Sequence, residues 1–487
     1  MKEVRTRFAP SPTGFMHVGN LRTALYEYLI AKSQGGKFVL RIEDTDQERL
    51  VEGATDVIYR TLEEVGLTHD EGPDVGGPYG PYVQSARKDL YLPYAKQLVA
   101  EGKAYYCFCS KERLESLHDA NGIGGYDRHC RDLPEEEVKR LLESGTPWVI
   151  RQKMPLEGST TFTDAVFGEI TIENCELEDQ ILIKSDGYPT YNFANVIDDH
   201  LMHITHVVRG CEYLTSTPKY NLLYEAFGWD VPTYVHLPLI MGRNEDGSVS
   251  KLSKRHGATG FADLVEAGYL PEAIVNYIAL LGWAPKDSTQ ELFTLDELTK
   301  TFRIDGISKS PAVFDYEKLT WMNGEYLKKM PQDVYIRHAM PYFKEVFGEA
   351  EKDWTVLAEM LQPRVLKLPE IPGLLGFFKA LPEYGSDLFV NKKSKATLEN
   401  APVMLKAAIE DLSQVEDWRV PVLHDNLLQL AQTLGVKNGT LLWPVRIAAA
   451  GQKVTPGGAM EILALLGKEE SLRRLQLGLQ KLETAAQ

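Results

Sequence analysis

The chain of 487 residues is poor in cysteine, with only five, and holds no run of the roughly 18 apolar residues that a bilayer span needs. Its opening residues, MKEVRTRFAP, lack the apolar core of a secretion signal. An odd set of cysteines (Cys107, Cys109, Cys130, Cys175, Cys211) in so long a chain argues against a disulfide framework, and the expected compartment is the cytoplasm. Fixed-period repeats and low-complexity tracts are missing, which removes solenoid architectures. Positive charge is short too: the formal net charge is -16. That balance weighs mildly against nucleic acid as a partner, because phosphate contacts come from Lys and Arg, although a total says little about any one face.

What is present is ample apolar material. A hydrophobic content of 44% and a length beyond one compact domain predict three or more domains with several cores. VRTRFA (4–9) reads as a short strand. LRTALYEYLIAKSQGG puts Leu21, Leu25, Tyr28 and Leu29 on one helical face before Gly35 and Gly36 stop it, and KFVLRIEDTD reads as a buried strand. Strand, turn, helix and strand in this order form a βαβ unit of the doubly wound kind, whose ligands bind beyond the carboxyl ends of the strands. The same style returns with ITHVVRG as a strand, TSTPKYNLLYEAFG as a helix capped by Thr215 or Ser216, and TYVHLPLI as a strand. Residues 85–190 between these halves, with the cysteine cluster and strand-like TPWVIRQK and DQILIKSDG, read as an inserted domain. From about 326 helical patterns dominate; the last places Leu472, Leu475, Leu479 and Leu482 on one stripe.

The stretch APSPTGFMHVGN (9–20) stiffens a loop with two prolines and removes Cβ atoms at Gly14 and Gly19, where the backbone must approach something closely. The helix start that follows favours an anion such as phosphate, and His17 in its first turn can donate to the same anion. A capped proline-rich turn explains these dozen residues equally well. VSKLSKRHG (249–257) surrounds Ser253 with Lys251, Lys254 and Arg255; alone it is a solvated basic loop, while beside a His–Gly turn in a split nucleotide-binding fold it suits a polyphosphate.

HVGN (17–20) and KLSKR (251–255) resemble the HIGH and KMSKS signatures of class I aminoacyl-tRNA synthetases. APSPTG, RIEDTD (41–46), DEGPDVGGPYGPY (70–82), SDGYPTYNFANVIDDH (185–200) and WMNGEYL (321–327) resemble the bacterial form of the glutamyl-tRNA synthetase family across the whole chain. The resemblance implies an α/β doubly wound, Rossmann-like catalytic domain in two halves (1–84 and 191–256) around an inserted acceptor-stem-binding α/β domain (85–190). A connecting domain (257–325) and an all-α anticodon-binding region of two subdomains (326–487) follow.

The implied activity is condensation of ATP and L-glutamate to glutamyl adenylate, then transfer to tRNA(Glu), by a monomer using Mg²⁺ with ATP and no membrane. His17, Asn20, Lys251 and Lys254 would hold the triphosphate as charge moves to pyrophosphate. Ser253 of the same loop, Glu212 and Ile240 match ATP-contacting positions. Arg7, Ala9, Ser11, Glu43, Tyr191, Asn195 and Arg209 match glutamate-contacting ones. Glu43 can pair with the α-ammonium, and Arg7 and Arg209 can each hold a carboxylate in a fork, in an order left open. The motifs are shared by a wider form that also charges the glutamine transfer RNA. The residues after 326 oppose a truncated paralogue, and intact His17, Lys251 and Lys254 oppose a non-catalytic relative.

Cys107, Cys109 and Cys130 with Asp132 form two close-spaced pairs able to close a tetrahedral structural zinc site. Family members with zinc usually have histidine where this chain has Asp132. His129 is the nearby substitute, and three reduced cysteines without metal are the other reading. Arg364, after Pro363, falls where the family places an anticodon-reading arginine; a helix-capping surface arginine is the equal alternative.

Overall fold

The computed structural model describes residues 2–46, 50–121 and 126–485. It divides into two compact units: Met1–Glu266 with Pro271–Tyr316, and Ala267–Leu270 with Glu317–Gln487.

In the first unit, β1 (Arg5–Phe8), α1 (Val18–Lys32) and β2 (Lys37–Leu40) form the expected βαβ element. The strands run parallel with Arg5 opposite Lys37 and Phe8 opposite Leu40. α1 is not the one-faced helix its leucine stripe suggested. Arg22, Glu27, Tyr26 and Ile30 are buried along with Leu21, Leu25 and Leu29, because one side meets the sheet while the Tyr26 hydroxyl, on another, donates to the Ala279 carbonyl at 3.0 Å.

Next come α2 (Ala54–Glu64), α3 (Lys88–Ala100), β3 (Ala104–Cys107), α4 (Lys111–Asn121), α5 (Glu135–Glu143), β4 (Val149–Gln152), β5 (Ser159–Asp164), β6 (Gly168–Glu173) and β7 (Ile181–Ile183). β3, β4 and β7 form their own antiparallel sheet. The β5–β6 hairpin joins a different sheet, with Asp164 paired to Tyr234. Residues 85–190 are therefore shared between two sheets.

The second half-sheet follows as α6 (Tyr191–Leu201), β8 (His206–Gly210), α7 (Thr217–Phe227) and β9 (Thr233–Leu237), then β10 (Ile240–Arg243) and β11 (Val249–Lys251). β8 and β9 are parallel, in the order β6-β5-β9-β8. The halves meet where the Thr205 amide donates to the Arg5 carbonyl at 2.9 Å and the Arg5 amide to the Thr205 hydroxyl at 2.8 Å. Ser216 takes the cap position before α7 but makes no side-chain capping bond.

The second unit is helical; its core joins Phe377, Phe389, Leu405, Leu427, Val445 and Leu463 with Leu475 and Leu482 of the final helix, Lys468–Ala485. Leu472 and Leu479 pack against that core, so the predicted stripe is its inward face. Gly478 sits where a Cβ would stand 2.7 Å from the Ala448 Cβ, which lets two helices cross closely. Among the described residues, no helix is long and apolar enough to cross a membrane.

Candidate active site

A cavity of about 500 Å³ lies at the carboxyl ends of β1, β8 and β9, where a doubly wound sheet places its ligands. It gathers Arg7, Ala9, Ser11, His17, Asn20, Glu43, Tyr191, Arg209, Glu212, Ile240 and Lys251. Asn195, Ser253 and Lys254 are outside its wall. Asn195 is buried one helical turn beyond Tyr191, its amide 3.3 Å from that hydroxyl. Lys254 hangs over Phe15, its ammonium 5.4 Å from the ring centre. A second cavity of about 970 Å³, bounded by residues 283–288 and 300–306, contains none of the expected residues.

The proline-rich loop enters α1 through His17, whose extended backbone makes it the N-cap. Its Nδ1 accepts the Gly19 amide at 3.0 Å, so the proton of the neutral ring resides on Nε2. Burial, then the positive charge of Lys251, holds the imidazole below its ordinary range. Val18 donates to the Thr259 carbonyl at 2.9 Å and Leu21 to the His17 carbonyl at 3.0 Å. With Gly19 on His17 Nδ1, three of the first four amides are already occupied within the protein. The helix end is thus a weaker anion site than four free amides would be, and donation to phosphate falls mainly to His17 Nε2–H and to lysine.

Beneath the cavity floor lies a buried network. Arg7 Nε is 3.0 Å from Asp199 Oδ1 and its Nη1 3.2 Å from Glu27 Oε1; Arg41 bonds the same Asp199 oxygen at 2.7 Å. Arg87 and Tyr91 bond Asp198 at 2.7 and 2.9 Å. Burial pushes the Glu27 carboxyl well above the usual range and raises Glu43 too, whereas the arginines hold Asp199 below it against the same burial. Arg7 is therefore mostly committed to the protein: two of its nitrogens already face carboxylates, so a two-nitrogen fork on a ligand would have to share at least one of them. None of Asp198, Asp199, Glu27 or Arg41 stands out in the sequence as a support for Arg7. Arg41 opens RIEDTD, and Asp198 and Asp199 lie within SDGYPTYNFANVIDDH, but only the fold shows what they touch.

Arg209 differs. It is buried, with its guanidinium 4.3 Å from the Tyr220 ring centre and 5.1 Å from that of Tyr213. Among the described residues no carboxylate pairs with it; its bonds go to His236 and Thr217. Glu43 is the complementary case: Oε1 accepts from Arg41, while Oε2 is buried without a partner among the described residues. An unpaired carboxylate oxygen and a carboxylate-free guanidinium in one cavity suit a ligand carrying both an ammonium and a carboxylate.

The basic loop is anchored by His256, which the sequence did not single out. Its Nε2 is 2.9 Å from Asn244 Oδ1, and its Nδ1 accepts the Ser253 amide at 3.0 Å. The ring presses on Gly242, where a Cβ would lie 2.5 Å from His256 Cγ, so only glycine leaves it room. Ser253 is thereby occupied as the cap of residues 254–256, and Lys251 alone of the three loop residues reaches the cavity.

Cys107, Cys109 and Cys130 bring their sulfurs within 4.8 Å of one another, a grouping able to hold a metal ion. Hydrogen bonds from Cys130, then Tyr126, hold the Cys107 thiol below its ordinary range, against burial. Asp132 is not in this group: its carboxylate faces Lys153 at 3.1 Å with an 81% exposed side chain. His129 is exposed and also outside it. The Tyr126 hydroxyl lies beside the cluster instead, 3.2 Å from Cys107 Sγ and 3.8 Å from Cys109 Sγ. Three soft sulfurs so grouped are compatible with zinc. In the helical unit, Arg364 is exposed and donates to the Met360 carbonyl at 2.6 Å.

Comparison with known proteins agrees in both units. The family description "tRNA synthetases class I (E and Q), catalytic domain" fits residues 3–321, and "Anticodon binding domain" fits residues 319–479. A glutamate–tRNA ligase of Clostridium novyi is 58% identical over 487 residues, 99% of either chain. One from Clostridium kluyveri is 56% identical over the same share. A crystal structure of a glutamate tRNA ligase from Elizabethkingia meningosepticum, in complex with its amino acid, superposes with a TM-score of 0.87 at 37% identity, covering 99% of this chain and 100% of its own.

Proposed function

The chain belongs to the class I tRNA synthetases for glutamate and glutamine, and we propose that it ligates L-glutamate to tRNA(Glu) through an enzyme-bound glutamyl adenylate. AMP and pyrophosphate are the other products. The observation that carries this reading is the cavity in which, among the described residues, Glu43 Oε2 lacks a partner and Arg209 lacks a counter-charge.

Glutamate's ammonium occupies the free side of Glu43, and a carboxylate takes the Arg209 guanidinium. Arg7 adds field and at most its remaining nitrogen, since Asp199 and Glu27 hold the others. Ala9, Ser11 and Tyr191 form the walls around the amino acid, and Asn195 orients the Tyr191 hydroxyl. Glu212 and Ile240 flank the adenosine. The Glu212 carboxylate lies directly over Gly210, where a Cβ would come within 2.1 Å of Oε2.

In the first step a glutamate carboxylate oxygen attacks the α-phosphorus of ATP and pyrophosphate leaves. In the second a hydroxyl of the terminal ribose attacks the carbonyl carbon and AMP leaves. Neither step needs covalent help from the protein, so positioning and charge stabilisation are its contribution. His17 Nε2–H, Asn20 and Lys251 face the phosphates from the cavity wall. Lys254 and Ser253 act from the loop after it turns inward, Lys254 leaving the Phe15 ring. Mg²⁺ accompanies ATP and shields the phosphate charge. Cys107, Cys109 and Cys130 would hold a zinc ion that would stiffen the inserted region without joining the chemistry, and Arg364 reads an anticodon base. The enzyme acts as a monomer in the cytoplasm.

The test is glutamate-dependent ATP–pyrophosphate exchange together with charging of purified tRNA(Glu) and tRNA(Gln). Exchange that vanishes in Lys254→Ala and charging of tRNA(Glu) are expected. Absence of both from the unmodified chain overturns the reading.

A further inference from the structure

Arg209 supplies a guanidinium that, among the described residues, no carboxylate pairs with, and its orientation is set from outside its own strand. Three residues from separate elements set it. Arg209 Nε donates to His236 Nε2 at 3.1 Å, and Arg209 Nη2 to the Thr217 hydroxyl at 3.0 Å. His236 Nδ1 in turn meets Asp164 Oδ2 at 2.6 Å, and the His236 amide donates to that same oxygen at 3.0 Å. Asp164 is fixed by the turn after β5, accepting the Val166 and Phe167 amides at 2.9 and 2.8 Å. Asp164 and His236 are both fully buried at the side chain.

We propose that His236, locked by Asp164, is a positioning residue that aims the Arg209 guanidinium at a carboxylate of the amino-acid substrate while leaving its positive charge uncompensated. This rests on the reading of the cavity as the glutamate site. The chemistry follows from tautomers. Asp164 accepts the Nδ1–H, so Nε2 presents a lone pair, and a lone pair is what the Arg209 Nε–H requires. Burial keeps the His236 ring below its ordinary range, outweighing the opposite pull of Asp164, and Arg209 lowers it further.

A carboxylate at the place of the imidazole would hold the guanidinium equally well but would neutralise it, as Asp199 does for Arg7. A neutral acceptor fixes direction without cancelling charge. The Tyr213, Tyr220 and Tyr234 rings close around the guanidinium, adding attraction that likewise leaves the net charge intact. The β5–β6 hairpin thereby acquires a purpose in the site: it delivers Asp164 to the edge of β9, where His236 waits.

The experiment is glutamate-dependent ATP–pyrophosphate exchange by the full chain carrying His236→Asn, His236→Gln, Thr217→Val or Arg209→Lys. Asparagine has its amide near the position of Nδ1 and keeps the tie to Asp164 alone, whereas glutamine extends an acceptor oxygen toward Arg209. His236→Asn is expected to raise the KM for glutamate about tenfold with the KM for ATP unchanged, and His236→Gln to restore it to within about threefold. Equal glutamate KM values in these two variants overturn the proposal. Should His236→Asn show no cooperative melting transition, Thr217→Val decides: a several-fold rise in glutamate KM alone supports the positioning role, and a parental value overturns it. Arg209→Lys separates the two levels. A parental glutamate KM there defeats the reading of the cavity itself, while a raised one beside equal His236 variants defeats only the role of His236.

Discussion

Arg41 grips Glu43 by one oxygen only. Its Nη2 and Nε lie 2.8 and 3.2 Å from Oε1, and Oε2, equally buried, has no partner among the described residues. A buried carboxylate oxygen left bare is costly unless a ligand completes it. Glu43→Gln is expected to raise the KM for glutamate by about tenfold or more and to leave the KM for ATP unchanged, as read from pyrophosphate exchange. An equal rise in both constants would contradict the ammonium assignment.

His17 uses Nδ1 for the Gly19 amide, leaving Nε2–H as its one donor. His17→Ala should slow adenylate formation about 10²-fold with little change in glutamate KM, measured by rapid quench. Because the folded imidazole titrates below its ordinary value, the rate should show no inflection at about pH 6.5, where a free histidine would titrate.

Stability should fall on the acid side for a related reason. His17, His200, His206 and His236 all titrate below the ordinary histidine value, burial being the first cause in each. Between that value and the lower folded ones the unfolded chain binds more protons, so stability declines as pH drops from about 6.5. Melting temperatures followed from pH 8 to 5 should show the decline. His236→Gln should make it shallower.

The sulfur cluster predicts a metal pattern. Elemental analysis should find one zinc per chain, lost in Cys109→Ser and kept in Asp132→Ala, since Asp132 pairs with Lys153 outside the cluster. Tyr126→Phe should speed zinc loss to a chelator, because its hydroxyl bonds the Cys107 and Cys109 sulfurs. Retention of zinc in Tyr126→Phe together with loss in Asp132→Ala would restore the ligand set expected from the sequence.

The exposed Arg364 side chain, among the described residues, donates to the Met360 carbonyl. Arg364→Ala should therefore raise the KM for tRNA(Glu) several-fold, the magnitude of one lost base contact, without moving the melting temperature. A parental transfer-RNA KM would leave Arg364 a capping residue.

The sequence by itself determined the βαβ start, the strand–helix–strand of the second half-sheet and the apolar stripe of the last helix, and its motifs carried the family resemblance. All of these depend on local signals: Gly35 and Gly36 end a helix, Leu475 and Leu482 share a stripe, and HVGN and KLSKR are contiguous motifs. It also placed Asp132 beside the cysteines, because adjacency along the chain was the only distance available. Tertiary structure alone decided which charges are free. Arg7 and Arg209 look alike in sequence, yet Asp199 and Glu27 approach Arg7 from two helices, whereas Arg209 receives neutral His236, held by Asp164 from a hairpin 72 residues away. A buried guanidinium keeps its charge for a ligand only if its neighbours are neutral, and those neighbours are chosen by the packing of strands and helices distant in sequence.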